Sequence, residues 1–128
     1  MKNILIIDPL CGESYQYLAH RLGFASTLIT EGRSALELMR NGLPVDLVIT
    51  ELALTDMDGL DFVADLRRSL PHLPVIVVTE QGTVESYLKA TSLGVIEYLN
   101  KPVRRNELHR IVDIALNDSG GPRFPRAA

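Results

Sequence analysis

The chain has 128 residues, of which 46% are hydrophobic, and its 13 basic against 16 acidic residues give a net charge of −3. This length suits a single domain that needs no metal or disulfide to hold its core. The single cysteine, Cys11, excludes an internal disulfide and a cysteine-based zinc site, and it favours a reducing, cytoplasmic setting. The slight acidity disfavours nucleic-acid binding, and no apolar run suggests a membrane span or a signal peptide.

Strand patterns and helix patterns alternate along the whole chain. The predicted strands are 4–7, 26–29, 45–49, 75–78 and 95–99, and the predicted helices are 14–22, 34–40, 60–70, 84–92 and 104–116. Runs such as Val75–Val78 are continuously apolar, which is typical of parallel strands covered on both faces. The alternation predicts an α/β fold with a doubly wound parallel sheet and helices on both faces, a three-layer α/β/α arrangement.

Glycine and proline mark the boundaries of these elements. Gly23, Gly42 and Gly94 each follow a predicted helix, where a left-handed cap favours glycine. Residues 118–128 are rich in Gly and Pro and show no periodicity. We therefore predict one domain over residues 1–117, followed by a flexible tail or the start of a linker over residues 118–128.

Polar side chains stand at the carboxyl ends of the predicted strands, where open parallel sheets place their functional sites. They are Asp8, Glu51, Thr79 and Lys101. Two carboxylates suit a divalent cation, and a hydroxyl with an ammonium group suits the oxygens of a phosphoryl group. The four residues together are the candidate functional site.

The segments Ile4–Asp8, Asp46–Leu60, Pro74–Thr79 and Tyr98–Pro102 resemble, in order and spacing, the receiver domain of bacterial two-component response regulators. The resemblance extends over about residues 2–116. It implies a flavodoxin-like (βα)5 fold with strand order 2-1-3-4-5. It also implies a phosphorelay in which a histidine kinase passes a phosphoryl group to an aspartate after the third strand, with Mg²⁺ bound.

The same resemblance assigns roles to individual residues. Asp8, Thr79 and Lys101 match positions of the phosphoryl and metal site, and Thr79 with Tyr98 would couple that site to an output surface. An ordinary half-buried strand tyrosine is the alternative for Tyr98. The Lys101–Pro102 peptide bond would be cis, with the lysine directed into the pocket.

Two positions depart from the family pattern. Glu51 stands where the family has its phosphoacceptor aspartate, and Pro9 replaces an acidic metal ligand. Glutamate carries its carboxylate one methylene further into the pocket, so we expect phosphotransfer to be slow or absent. Asp8, Glu51 and the Ala53 carbonyl remain as ligands, which predicts a weak or absent Mg²⁺ site and no other cofactor. Glu51 can instead pair with Lys101, and its charge can partly imitate a phosphorylated aspartate.

These departures favour a pseudo-receiver: a non-enzymatic module that signals through protein–protein interaction without phosphorylation. Its expected partners are a histidine kinase, an effector domain or another regulator, with a homodimer through the face of the fourth helix, fifth strand and fifth helix. The alternative is an Mg²⁺-dependent phosphoacceptor that uses Glu51, Asp56 or Asp58, although the two aspartates also suit turn positions ahead of Gly59. A flavin or nucleotide site is disfavoured because residues 8–13 lack a phosphate-binding Ser/Thr or Gly run.

Overall fold

Strands and helices alternate through residues 1–117, which are the residues that this computed structural model describes. The strands are β1 (Asn3–Ile7), β2 (Ala25–Ile29), β3 (Leu47–Thr50), β4 (Val75–Thr79) and β5 (Glu97–Asn100). The helices are α1 (Gly12–Arg21), α2 (Gly32–Arg40), α3 (Gly59–Ser69), α4 (Val84–Ser92) and α5 (Arg105–Asn117). The predicted tail over residues 118–128 lies outside the described residues.

The five strands form one parallel sheet in the order β2-β1-β3-β4-β5. This confirms the predicted flavodoxin-like fold. The strands direct alternate side chains to opposite faces, so that Ile6 packs with α1 and α5 while Leu5 packs with α2 and α3. The strand order reverses between β1 and β3, and their carboxyl ends therefore flank the crevice in which such sheets hold their functional groups.

All element bounds lie within two residues of the prediction, and α4 matches it at both ends. The strand predictions that began at Val45 and Val95 were each two residues too early. The Val95 N–H binds the Ala90 carbonyl and closes the end of α4, so its apolar character reflects packing rather than pairing with β4. The helices α1 and α2 begin two residues earlier than predicted, because their first residues, Gly12 and Gly32, carry no apolar side chain for a periodicity to detect.

Glycine has the predicted role at three helix ends and an unpredicted one at a fourth position. The left-handed caps are confirmed, with φ of 85° at Gly23, 101° at Gly42 and 78° at Gly94. Gly59 opens α3 against the backbone that follows β3, and a Cβ there would lie 2.5 Å from the Glu51 carbonyl oxygen. The absence of a side chain at Gly59 therefore lets α3 start beside the candidate site.

The helix α4 is capped at its start and bonded to α3 at its end. At its start, Thr83 and Ser86 form a reciprocal capping box. At its end, the Arg67 guanidinium of α3 donates hydrogen bonds to the carbonyls of Leu93 (2.7 Å) and Gly94 (3.0 Å). No helix within residues 1–117 is long and apolar enough to cross a membrane.

Candidate functional site

The structure brings the side chains of the four predicted site residues together at the carboxyl edge of the sheet. Asp8 directly follows β1, Glu51 follows β3, Thr79 ends β4 and Lys101 follows β5. Asp8 and Glu51 are each 2% exposed, Thr79 is fully buried, and the Lys101 side chain is 8% exposed. The site is therefore a buried cluster of charges contributed by four neighbouring strands.

The Lys101 ammonium group bridges the two carboxylates. Its Nζ lies 2.9 Å from Asp8 Oδ2 and 3.0 Å from Glu51 Oε1. The Lys101 backbone N–H also donates to the Thr79 carbonyl at 2.8 Å, and the Lys101–Pro102 peptide bond is cis. One cation thus compensates two adjacent anions.

The Glu51 carboxylate is surrounded by hydrogen-bond donors. Its Oε2 accepts from the Leu52 N–H at 2.6 Å and the Ala53 N–H at 3.3 Å. Its Oε1, already paired with the Lys101 ammonium, accepts from the Glu80 N–H at 3.3 Å. The Thr79 hydroxyl donates a further hydrogen bond to this carboxylate. Donors that follow β3, β4 and β5 therefore converge on one anionic group.

Asp8 is held in a tight turn that passes through Pro9. Its Oδ1 accepts hydrogen bonds from the N–H groups of Leu10 (2.8 Å) and Cys11 (2.9 Å). This geometry is typical of an aspartate that bonds its own backbone two residues on. Pro9 contributes neither a carboxylate nor an N–H to the site. Both oxygens of Asp8 consequently have partners within the protein.

The hydrogen bonds decide the charge states of the cluster. Burial raises the pKa of Glu51, but hydrogen bonds from Thr79, Lys101 and the backbone outweigh burial and hold this pKa below its ordinary value of 4.5. Burial lowers the pKa of Lys101, but its contacts with Asp8 and Glu51 raise it above the usual 10.5. Glu51 and Lys101 are therefore both charged near neutral pH.

The donor set is a poor match for Mg²⁺. A magnesium ion takes near-octahedral oxygen coordination, and here the oxygens of Asp8 and Glu51 already bind Lys101 and backbone N–H groups. The ammonium group lies between the carboxylates that a cation would bridge. Within residues 1–117, no cluster of three or more His, Cys, Asp or Glu side chains could hold a metal ion. The residues present do not fit the metal that the family resemblance implies.

Asp56 and Asp58, the alternative phosphoacceptors, cap helices. Asp58 is the N-cap of α3 and accepts from the Leu60 N–H at 2.7 Å, which is the local turn role considered for it. Asp56 instead reaches the start of α2, where it accepts from the N–H groups of Gly32 and Arg33 at 2.9 Å each. Burial raises the pKa of Asp56, but these two bonds outweigh it and lower the pKa. Sequence spacing could not reveal a cap that lies 24 residues away.

Tyr98 connects β5 to the fourth helix. It is half-buried, its hydroxyl hydrogen-bonds to Ser86 Oγ, and its ring meets that of Tyr87 edge to face at 5.4 Å. On the outer side of α4, Val84 is 77% exposed, Leu88 is 61% exposed and Tyr87 is 49% exposed. Tyr98 thus lies directly behind an exposed apolar surface of α4.

Sequence reasoning missed four groups near the cluster. The backbone N–H groups of Leu52, Ala53 and Glu80 bind Glu51, and a one-letter sequence carries no signal for them. Tyr15 on α1 lies close to the charge cluster. Burial raises its pKa to about 12; the nearby carboxylates of Asp8 and Glu51 act in the same direction, and Lys101 acts against them. The sequence analysis assigned no role to Tyr15, because a tyrosine among apolar helix positions looks the same in sequence whether it packs or lies beside a site.

Fold and site together define a flavodoxin-like α/β domain with a carboxylate–lysine cluster at the point where the strand order reverses. The family model described as the response regulator receiver domain matches residues 4–113. The chain belongs to this family, the receiver domains of two-component response regulators.

Known relatives agree with this assignment. The transcriptional regulatory protein GlrR of Escherichia coli K12 is 34% identical over 97 residues, covering 76% of this chain and 22% of GlrR. ZraR of the same strain is 31% identical over 116 residues, covering 89% of this chain and 26% of ZraR. The chain thus spans about a quarter of the length of these relatives.

Solved structures show the same architecture. A response regulator receiver domain protein from Clostridium thermocellum superposes with a TM-score of 0.82 at 26% identity, covering 92% of this chain and 96% of that one. A CheY-like receiver domain protein from Methanospirillum hungatei JF-1 gives a TM-score of 0.85 at 22% identity, covering 92% and 95%. The second likeness concerns the fold alone.

Proposed function

We propose that this receiver domain is a pseudo-receiver, which signals through protein–protein contacts without being phosphorylated. The observation that carries this proposal is the enclosure of the Glu51 carboxylate by Lys101, Thr79 and three backbone N–H groups. A phosphoacceptor must direct one carboxylate oxygen in line at phosphorus, with room for the incoming group. Both oxygens of Glu51 are occupied, and the carboxylate itself fills the space between the donors.

The arrangement around Glu51 has the character of an anion site that is already filled. Backbone N–H groups, a hydroxyl and an ammonium group are the donors that stabilise a bound phosphoryl group. Here they bind a carboxylate that belongs to the chain, and Lys101 supplies the positive charge that a metal ion would otherwise bring. We therefore propose that Glu51 imitates a phosphorylated aspartate permanently and that the domain acts without Mg²⁺.

The surface that we propose for partner binding is the exposed side of α4, formed by Val84, Tyr87 and Leu88. Its support is the exposure of three apolar side chains at helical spacing, next to the Tyr98–Ser86 hydrogen bond. A histidine kinase, an effector domain, another regulator or a second copy of the chain would dock there. GlrR and ZraR carry the name transcriptional regulatory protein, which supports a regulatory role. A non-enzymatic role in the cytoplasm is part of the same proposal.

Incubation with acetyl phosphate and Mg²⁺, followed by intact-mass measurement, tests the central proposal. We expect no phosphorylated species from the natural chain. The double variant Glu51→Asp with Pro9→Asp restores both acidic positions and should gain one phosphoryl group, which also proves that the scaffold is competent. Stoichiometric phosphorylation of the natural chain at Glu51, Asp56 or Asp58, located by tandem mass spectrometry, would establish the alternative function instead.

A second copy of the chain is the partner that can be tested directly. Sedimentation over a range of concentrations should show association that Leu88→Glu weakens, because the substitution places a charge in the exposed apolar surface. The matched control is Glu85→Gln, an exposed position in the first turn of the same helix. A monomer at every concentration would exclude the homodimer.

A further inference from the structure

A cavity of about 650 Å³ opens between α1 and the start of α5, beside the Asp8–Lys101–Glu51 cluster. Its lining includes buried side chains, with Tyr15 9% exposed, Leu18 7% and Leu108 3%, and an exposed one, Tyr17, at 52%. Small-molecule sites typically measure about 300–1,000 Å³ and combine an apolar lining with a few polar groups. The size and the buried apolar lining of the cavity fit such a site.

The Tyr15 hydroxyl is a polar group without a protein partner. The residue is nine-tenths buried, yet within residues 1–117 its hydroxyl makes no hydrogen bond. It borders the cavity, which leaves it accessible to a bound molecule. A phenol can donate one hydrogen bond and accept others. The hydroxyl is open to the cavity rather than enclosed by protein, so it can bond a polar group of a molecule bound there.

Two opposite charges line the same cavity. Glu80 follows β4, and Arg105 begins α5, where its guanidinium lies 5.9 Å from the centre of the Tyr17 ring. Within the described part of the chain, neither side chain forms an ion pair. Lys101 also lines the cavity, but Asp8 and Glu51 already bind its ammonium group. The charges left for a ligand are thus one carboxylate and one guanidinium, supplied by different elements.

We propose that this cavity binds a small zwitterion with an apolar body, which is the chemistry of an apolar amino acid. Glu80 receives the ligand's ammonium group, Arg105 receives its carboxylate, and the Tyr15 hydroxyl forms a hydrogen bond with one of these polar groups. The apolar body packs on Leu18 and Leu108. Lys101 lines the same cavity, so a bound ligand would lie next to the charge cluster. This inference goes beyond the proposed function and holds whether or not Glu51 can be phosphorylated.

Titrations followed by amide NMR spectra test the proposal with three probes: L-phenylalanine, N-acetyl-L-phenylalanine and L-phenylalaninamide. The second probe lacks the ammonium charge, and the third lacks the carboxylate. We expect L-phenylalanine to shift the amide signals of α1 and of the first turn of α5. Each modified probe should bind about two- to fivefold more weakly, the usual range for one solvated ion pair. Equal affinities for the three probes, or shifts confined to other elements, would overturn the proposal.

Charge-removing variants locate the two contacts. Glu80→Gln should weaken L-phenylalanine and abolish the discrimination against the N-acetyl probe, whereas Arg105→Gln should abolish the discrimination against the amide probe. Tyr15→Phe should weaken L-phenylalanine and should reduce only the discrimination against the probe that lacks the charged group bonded by the hydroxyl. Arg110→Gln, on the exposed side of α5 away from this cavity, is the matched control and should change nothing. An equal response to Arg105→Gln and Arg110→Gln would show a non-specific charge effect and refute the assignment.

Discussion

The Lys101 ammonium group lies 3.0 Å from Glu51 Oε1 in a pair whose side chains are 8% and 3% exposed. A buried ion pair contributes little net stability when complete, but removal of one partner leaves an uncompensated buried charge. Lys101 also compensates Asp8, so its loss would leave two carboxylates without their cation. The stability of the folded chain therefore depends on Lys101 more than on an ordinary ion-paired lysine.

Lys101→Met should lower the free energy of unfolding by about 3–5 kcal/mol, the usual cost of breaking a buried pair. Urea denaturation of the purified chain measures it. Lys89→Met, at an exposed position on α4, is the control and should remain within about 0.5 kcal/mol of the natural chain. Comparable losses in the two variants would show that the cluster has no special dependence on its cation.

The pH dependence of stability should carry the signature of Glu51. The folded-state pKa of Glu51 lies below its ordinary value of 4.5, so its stabilising contribution is fully present above pH 4.5 and is lost as the pH falls through the folded pKa. Unfolding free energies measured from neutral pH downward should therefore decline below about pH 4.5, and the decline should be shallower in Glu51→Gln. An identical loss of unfolding free energy with falling pH in both proteins would contradict the lowered pKa of Glu51.

Lys101 should make the stability of the chain depend on pH in the opposite direction, with a loss at alkaline pH. The pKa of Lys101 is raised above 10.5 in the folded chain, so its contribution is fully present below pH 10.5 and is lost as the pH rises through the folded value. Lys101→Met should remove this loss, although it also lowers stability at every pH. The comparison of slopes, rather than of absolute stabilities, separates the two effects.

Asp56→Ala should destabilise the chain by about 1–2 kcal/mol, as expected when a capping carboxylate is lost. The substitution leaves the N–H groups of Gly32 and Arg33 without their acceptor and releases the loop after β3 from α2. NMR shifts at the start of α2 would report the change directly. Glu37→Ala, an exposed position later in the same helix, should have little effect on either measurement.

Gly59→Ala tests the close approach of α3 to the site. The added Cβ would lie 2.5 Å from the Glu51 carbonyl oxygen and 2.6 Å from the Leu52 Cα, and neither backbone atom can move freely. Overpacking of this kind costs about 1–3 kcal/mol. Thermal or urea unfolding would measure the loss. Gly→Ala normally favours a helix, so a gain in stability would mean that α3 can shift away from β3 without cost.

The sequence pattern predicts the fold and the four main site residues, but it does not predict all of the contacts made at the site. Continuous apolar runs identified the central strands, and the polar residues after them identified Asp8, Glu51, Thr79 and Lys101. The backbone donors at Leu52, Ala53 and Glu80 escaped prediction because any residue type except proline can supply an N–H. Asp56 escaped because its partner is distant along the chain, and Tyr15 because a tyrosine in an apolar stripe resembles ordinary core.

The helix α4 is attached to the rest of the domain by few apolar contacts. Within the described chain, α4 buries only Ala90, whereas α3 and α5 each bury five residues. Its attachment therefore depends on the Arg67 bonds at one end and the Ser86–Tyr98 contact near the other. Local opening is least costly where few apolar contacts are lost. Among the helices, α4 should accordingly exchange its amide hydrogens first, as one cooperative unit that swings free while the sheet stays folded.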